Sequence, residues 1–355
     1  MSVTAPARKS ERFDPNKIAS TIDIMRRQHA QKMRGRIDLA SRYTFSIDKP
    51  GTRVIDDAFS IVRLKGMWRL DVHIADLATW CADDSVVDRI VQRSFAPSES
   101  HADRMILPHR LLHSAISLNA KKLRLATTVS MWFDVTGTRF ATQVHRSQIR
   151  VNTNTDFDTV DAMSTDCGLC NTKRKHRLME RYNRLRTLSV RVAARQLAAG
   201  LLPVDHCDPR HWSSWHVVKT LMTETGFALA DISRHYKSQV WYRIQAAPDQ
   251  PNWRELREFF VQRLIELPYR PDARSLALAM DKMADDRVVL EAGRQLCLSK
   301  TPPAADSIVA KPHFSLGQRY YIQATSPLRR YRNLENQKAI TKTMRDFGGP
   351  LCLAK

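Results

Sequence analysis

The sequence predicts an α/β fold, and two observations carry that prediction. Between Tyr43 and about Val151 the chain reads as short strands, whereas from about Asp156 onward it turns helical. At 355 residues with 43% hydrophobic content it can bury the core of one large α/β domain or of two average ones.

In chain order, residues 1–35 are charged and polar. The piece from Asp14 to Gly35 reads as a basic helix whose apolar positions, Ile18, Ile22, Ile24 and Met25, follow a helical period only loosely, so this region is assigned to a basic N-terminal arm. The strands are TFSID at 44–48, AFSIVRL at 58–64, WRLDVHIA at 68–75 and LATTVSMWFDV at 125–135, interrupted by a polar helical stretch at Ser85–Arg93. The long run HRLMERYNRLRTLSVRVAARQLAAGLL is a helix ended by Gly200 and Pro203. Further helices fit His216–His235 and Trp253–Glu266. Pro302, Pro303 and Pro312 make Lys300–Gly317 a loop before a last helix, and residues 346–355 form a short tail.

Lys and Arg number 57 against 36 Asp and Glu, a formal net charge of +21, which calls for a polyanionic partner such as nucleic acid. No stretch approaches the length of apolar chain that a membrane-spanning helix requires, so a membrane partner is set aside. The N-terminus lacks the apolar segment of a secretion signal, and the six cysteines are scattered, so free thiols in the cytoplasm are expected, with an organellar matrix as the alternative.

Three carboxylates, Asp48, Asp56 and Asp57, fall within ten residues of a very basic chain. Adjacent residues of an extended strand face opposite ways, so Asp56 and Asp57 can share a site only where the backbone loops, and Pro50-Gly51 supplies the breaker. Clustered carboxylates repel one another unless a cation lies among them, and Mg²⁺ takes oxygen ligands while keeping several waters. A solvated acidic turn between two strands is the alternative on residue types alone.

The stretch RIDLASRYTFSIDKPGTRVIDDAFSIVRLKGMWRLDVHIADLATW resembles the opening of the RNB domain, the catalytic domain of the ribonuclease II and R family. Its pattern is Asp-x5-Asp-x-Asp-Asp-Ala followed by His-Ile-Ala-Asp. Four further segments appear in the family's order: MILPHRLLHSAISLNAKKLRLATTVSMWFD, VHRSQIRVNTNTDFDTV, VWYRIQAAPD and ATSPLRRYRNL. Together they span about residues 36–340, assigning 36–345 to one RNB-type domain. The resemblance implies a mixed β-sheet packed by helices around a channel for single-stranded RNA. It also implies Mg²⁺-dependent hydrolysis from the 3′ end, releasing 5′-mononucleotides.

Carried over by motif, Asp48, Asp56 and Asp57 match carboxylates that hold Mg²⁺ and its attacking water. Asp48 and Asp57 would hold the ion, Asp56 would position the water, and Arg329 would stabilise charge on the scissile phosphate. Arg330, Arg243, Tyr331 and Arg124 are the expected RNA contacts.

Several positions depart from the family pattern. The second aspartate falls on Val54, the aromatic before Leu-Pro is Ile106, and two histidines become Gln245 and Gln323. The acid of the last motif is Asn333, the Asp before Arg124 is Leu123, and paired acids of a mid-domain helix become Lys219 and Thr220. Two functions therefore stand side by side: a nuclease working with three of four carboxylates, and a non-catalytic RNA-binding or scaffold subunit of a larger ribonucleoprotein assembly. The family's flanking cold-shock and OB-type barrels have no room in residues 1–35 or 341–355, which implies weakened RNA binding unless the charge or an assembly compensates.

Smaller signals read as structural first. Cys167 and Cys170, with His176, His206 and Cys207, lack the spacing of a zinc site. The basic run Lys173–Arg195 is either an RNA-facing stripe or a solvated helix face. His73 and Asp76, three apart on a strand, point oppositely and suit structural roles beneath the acidic loop. Tyr320, Tyr321 and Tyr331 could stack on a base or pack in the core.

Overall fold

The computed structural model describes residues 15–82, 85–94, 105–166, 169–203 and 212–354. Helix α1 (Pro15–Met33) leads into β1 (Ile37–Asp38), β2 (Thr44–Asp48), β3 (Asp57–Leu64) and β4 (Met67–Ala75). Then come α2 (Val86–Ser94), the short α3 (His109–Leu111) continued by a π-helical turn at Leu112–Ile116, β5 (Leu123–Phe133) and β6 (Arg139–Asp156). The remainder is α4 (Phe157–Thr165), α5 (Lys173–Ala198), α6 (Ser214–His235), β7 (Tyr242–Ile244), α7 (Gln250–Val261), α8 (Ala273–Asp281), α9 (Arg287–Lys300), β8 (Ala305–Ser307), α10 (Tyr331–Asp346) and β9 (Leu351–Ala354).

The main sheet is mixed, and β6 closes it. Residues 139–150 of this strand pair antiparallel with β5, while 151–156 pair parallel with β2, so the run β2-β3-β4-β5 is gripped at both edges by one strand. Sequence reading did not single out β6, because Arg146, Gln148, Arg150 and Asn152 dilute its hydrophobicity. The period of two is nonetheless present: Ser147, Ile149, Val151 and Thr153 are buried between those polar positions. At the shift between Thr44 and Phe45, Asn152 is the extra residue of a bulge, and its Oδ1 accepts the Thr44 amide at 2.8 Å. The β3–β4 hairpin turns on Lys65-Gly66, with φ of 44° and 86°, the paired left-handed geometry of a two-residue type I′ turn.

One core lies between the sheet and helices α4, α5, α6 and α10, centred on Phe45, Phe59, Trp68 and Phe133. Helix α5 contributes Leu178, Tyr182, Leu185, Leu188 and Val192, an i, i+3/i+4 stripe. It ends at Gly200, where a φ of +105° and the Arg274 amide, 2.9 Å from where a Cβ would stand, exclude a side chain. Part of its basic run ties the helix to the sheet. Arg177 stacks over Tyr43 at 4.7 Å, Arg191 donates to the Val135 carbonyl at 2.6 Å, and Arg195 donates to the Gly137 carbonyl at 3.3 Å.

A second core gathers Ile22 and Met25 of α1, Val87 and Val91 of α2, the segment 106–118, and Leu328 and Leu334. Residues 15–33, expected as part of a basic arm, thus form a packed helix: one face buries Thr21, Ile22 and Met25 although the period is imperfect. A third core joins α7, α8 and α9 through Trp253, Phe260, Leu276, Met280, Leu290 and Cys297. Only the first of those three helices was legible in the sequence. Cys81, Cys170, Cys297 and Cys352 are free thiols, while Cys167, His206 and Cys207 lie outside the described residues. Among the described residues no helix is long and apolar enough to cross a membrane.

Candidate active site

The acidic residues sit where β2 ends and β3 begins. Asp48 closes β2 beside Asp156 of β6, and Asp57 opens β3 opposite Ile74 of β4. Between them the chain leaves the sheet as a loop, turned at Gly51 with a φ of +78° and bonded from the Thr52 amide to the Lys49 carbonyl at 3.1 Å. This loop is pinned from three sides. The Ile55 amide donates to Ser117 Oγ at 2.8 Å, the Leu118 amide donates to the Ile55 carbonyl at 3.1 Å, and the Ala75 amide donates to the Asp56 carbonyl at 2.8 Å. Asn154 extends the brace by donating from Nδ2 to Ser46 Oγ and to the Leu118 carbonyl.

The arginine motif arrives from the other end of the chain. The Leu328 amide donates to Asp56 Oδ1 at 2.8 Å, and the Leu328 carbonyl accepts the Ile106 amide at 2.8 Å. Leu328 is thereby clamped on both sides, which brings Arg329 Nε to 3.3 Å from Asp56 Oδ2. Asn333, where the family pattern has an acid, accepts the Ser326 amide at 3.1 Å from a fully packed position. Gln337 bridges the Ala78 amide and the Ala75 carbonyl, tying α10 to the end of β4.

Burial dominates the electrostatics here. Asp56 is 5% exposed, and burial pushes its carboxyl up to about 6, against the opposing pull of the Leu328 N–H and Arg329. Asp48 is pushed up to about 7 by burial and by Asp56, with the Ser46 hydroxyl and Arg329 working the other way. Asp57 is raised well above the usual carboxylate range by burial and by the charges of Asp48 and Asp56. Three carboxylates therefore share a region in which Arg329 is the cation acting on all of them.

Among the described residues, no group of three His, Cys, Asp or Glu side chains converges closely enough to hold a metal ion. The reason lies in Asp56, whose two oxygens are directed at the Leu328 amide and at Arg329. Asp48 Oδ2, by contrast, is buried with no hydrogen-bond partner. That orphaned oxygen, and the mutual repulsion with Asp57, fit a divalent cation, and Mg²⁺ needs only one or two protein carboxylates. Asp48 and Asp57 are the two that could hold such an ion.

The departures from the family pattern have distinct outcomes. Val54 is 3% exposed and packs with Ile55 in the second core, so the position has become an apolar anchor of the loop. Ile106 is fully buried and contributes its backbone amide. Gln245 braces the proline-rich segment through the Pro302 carbonyl and the Ser315 amide.

Among the expected RNA contacts, Arg124 is turned into the protein. It is 7% exposed, and its guanidinium is spent on the carbonyls of Ser117, Ser114 and His113 at the end of the π-helical turn, satisfying acceptors that would otherwise be orphaned. Burial lowers even this group, to about 10. Arg243 pairs with Asp306 at 3.1 Å, an acid that Arg332 also approaches, at 3.5 Å. Arg330 stands at the N-cap position of α10 and its charge reaches Asp56. Tyr331 is partly buried against the second core, whereas Tyr321 is packed edge-on to Phe227 and Arg234 lies 3.8 Å over the Tyr320 ring.

His73 and Asp76 hold structural positions. His73 bonds Ser60 and Thr128 within the sheet, and Asp76 pairs at 2.6 Å with Arg36, both side chains being fully buried. Arg36 also donates to the carbonyls of Ala126 and Ser147. Nothing in the composition marked Arg36. The only available signal was an arginine at the start of the first recognisable motif.

The RNB domain profile matches residues 36–346 of this chain. Among curated proteins it is 23% identical to ribonuclease R of Chlamydia pneumoniae over 94% of this chain and 51% of the relative, and 25% identical to that of Thermotoga maritima over 84% and 45%. Among solved structures, RNase R of Mycoplasma genitalium in complex with ribose-methylated single-stranded RNA superposes with a TM-score of 0.79 at 18% identity, covering 93% of this chain and 55% of that one. Yeast Ssd1, described as a pseudonuclease, superposes with a TM-score of 0.72 at 17% identity, covering 94% and 46%. The chain spans about half the length of the relatives it matches. With the profile covering most of the sequence and the carboxylate and arginine motifs meeting at one point of the fold, the chain belongs to the RNB domain family.

Proposed function

We propose that this chain is a Mg²⁺-dependent exoribonuclease domain that degrades single-stranded RNA from the 3′ end and releases 5′-mononucleotides. The observation that carries the proposal is the meeting of Arg329 with Asp56 at 3.3 Å beside Asp48 and Asp57. The names of the relatives, ribonuclease R, and the single-stranded RNA held by the Mycoplasma genitalium protein support the substrate and direction.

Asp48 and Asp57 would hold the ion. When bound, Mg²⁺ supplies charge neutralisation and a water of lowered pKa. Asp56, held in place by the Leu328 N–H, would position the attacking water through the carboxylate edge now facing Arg329. The Arg329 guanidinium would donate to the scissile phosphate and stabilise charge on its oxygens as water forms the new P–O bond and the P–O3′ bond breaks, the 3′ oxygen of the preceding nucleotide leaving as a hydroxyl once protonated. Arg330, Arg243 and Tyr331 would be the contacts to the RNA.

A second reading, an RNA-binding or scaffold subunit of a ribonucleoprotein assembly without cleavage, is favoured by one observation: the second acidic position is Val54, sealed in the core. Fold does not separate the two, since a nuclease and a pseudonuclease share it. Incubating the protein with 5′-labelled single-stranded RNA and Mg²⁺, beside Asp56→Asn and a chelated control, does. A ladder shortening from the 3′ end only in wild type with Mg²⁺ supports the nuclease. Retained, salt-sensitive binding with no ladder assigns the chain to the second reading.

A further inference from the structure

A cleft of about 540 Å³ opens at the far end of the sheet, between the β3–β4 hairpin and helix α5. It is lined by Arg63, Lys65, Gly66, Trp68, Asn183, Arg184 and Thr187, with no acidic side chain in the wall. Arg184 is paired with Glu180 at 2.6 Å, one turn away on a solvent-exposed face, which leaves most of its donor fork available. Among the described residues Arg63 and Lys65 have no ion pair. Arg63 is held instead by stacking on the Trp68 ring at 5.0 Å. Lys65 sits at the left-handed position of the hairpin turn, where its side chain is exposed.

The second, independent observation is Trp68 itself. It is 2% exposed, it lines the cleft, and its indole Nε1 is buried with no hydrogen-bond partner. A buried indole donor ordinarily finds an acceptor, because leaving it unpaired costs roughly 1–3 kcal/mol. Three cationic side chains lining a cleft whose wall also carries the residue with the unsatisfied N–H make a site for an oxyanion.

We infer that this cleft binds a phosphate of an RNA chain, as a second contact separate from the carboxylate site. Charge selects nucleic acid among the possible anions, since a chain of net charge +21 gains most from a partner that releases many counterions. Strand β3 runs from Asp57 to Leu64, so the hairpin lies about 20 Å or more from the carboxylates at 3.3 Å per residue. A short RNA seated at the carboxylates cannot reach the cleft. A long one can, and the cleft would hold the distal part of the same molecule. The inference rests on RNA being the ligand of this domain, not on its cleavage.

The test uses the full chain with chelator present, so that binding is read without degradation. Arg63→Gln with Lys65→Asn removes two charges at exposed positions, and Asn is at home in the left-handed turn. Fluorescence anisotropy with a short and a long single-stranded RNA should show the long RNA bound roughly tenfold more weakly. Its salt dependence should fall by about one to two phosphate contacts, with the short RNA unchanged. In ¹H–¹⁵N spectra the Trp68 indole resonance, assigned by Trp68→Phe, should shift when long RNA is added. Unchanged affinity and salt slope for the long RNA, or an equal loss on both lengths, would overturn the inference. Arg330→Ala is the comparison: it should weaken both lengths, and if it weakens neither while the cleft variant does, the channel assignment fails and the cleft stands.

Discussion

Asp56→Asn should stabilise the metal-free protein while abolishing cleavage. The native carboxyl of Asp56 is raised to about 6 from 3.8, so the folded state holds its proton more tightly than the unfolded state does. The stability this provides is complete below 3.8 and is lost as pH rises through about 6. At about 1.4 kcal/mol per pH unit, ionised Asp56 costs the metal-free fold about 3 kcal/mol at neutral to alkaline pH. Asparagine carries no charge to desolvate, still accepts the Leu328 N–H, and lowers the repulsion felt by Asp48 and Asp57.

The Asp56→Asn variant should therefore unfold in urea with a stability gain of up to about 3 kcal/mol near pH 8 in chelator, shrinking towards zero near pH 4. Taking the difference between variant and wild type cancels the contributions of titrating groups that do not interact with Asp56, and the relief of Asp48 and Asp57 adds to the gain in the same direction. In the same preparation, cleavage should fall by at least about a hundredfold, the scale of losing one charge-positioning group. A variant less stable than wild type near pH 8, or a gain equal at both pH values, would refute the assignment of Asp56 as a carboxylate held ionised at the expense of stability.

Other perturbations give separate outcomes. Arg124→Met should destabilise by about 2–3 kcal/mol in chemical denaturation, because it orphans three backbone carbonyls, and leave the RNA affinity of the folded protein unchanged; weakened binding would return Arg124 to the RNA contacts. Arg36→Met should cost about 3–5 kcal/mol by stranding the buried Asp76, and adding Asp76→Leu should recover part of it. His73 is held at about 4 by burial, below its ordinary 6.5, so it contributes stability that is present above 6.5 and lost as pH falls towards 4. His73→Asn should flatten the acid limb of the stability curve across that window. Val54→Asp should destabilise the metal-free protein by burying a fourth carboxylate, and Mg²⁺ should restore the loss if the new group reaches the ion; a chelator-independent loss would show the position has been given over to packing.

The sequence by itself determined the family, four strands of the main sheet and the identity of the acidic loop. Those features rest on local patterns: alternation in β3, β4 and β5, a proline-glycine break between Asp48 and Asp56, and motifs in a fixed order. It also contained the period of β6, hidden by arginines and asparagines that a closing strand can carry on its solvent side. Tertiary structure alone decided which polar residues face a site and which serve as scaffolding. Arg124 and Arg329 are both arginines of recognisable motifs, yet one is enclosed by the carbonyls of a helix end and the other is delivered to Asp56 by the clamp on Leu328. Val54 and the Trp68 indole make the same point, since a side chain's neighbours come from segments far apart in sequence. The reason is physical: periodicity reports which face of an element is buried, whereas hydrogen-bond satisfaction and desolvation depend on what the rest of the chain brings to that face.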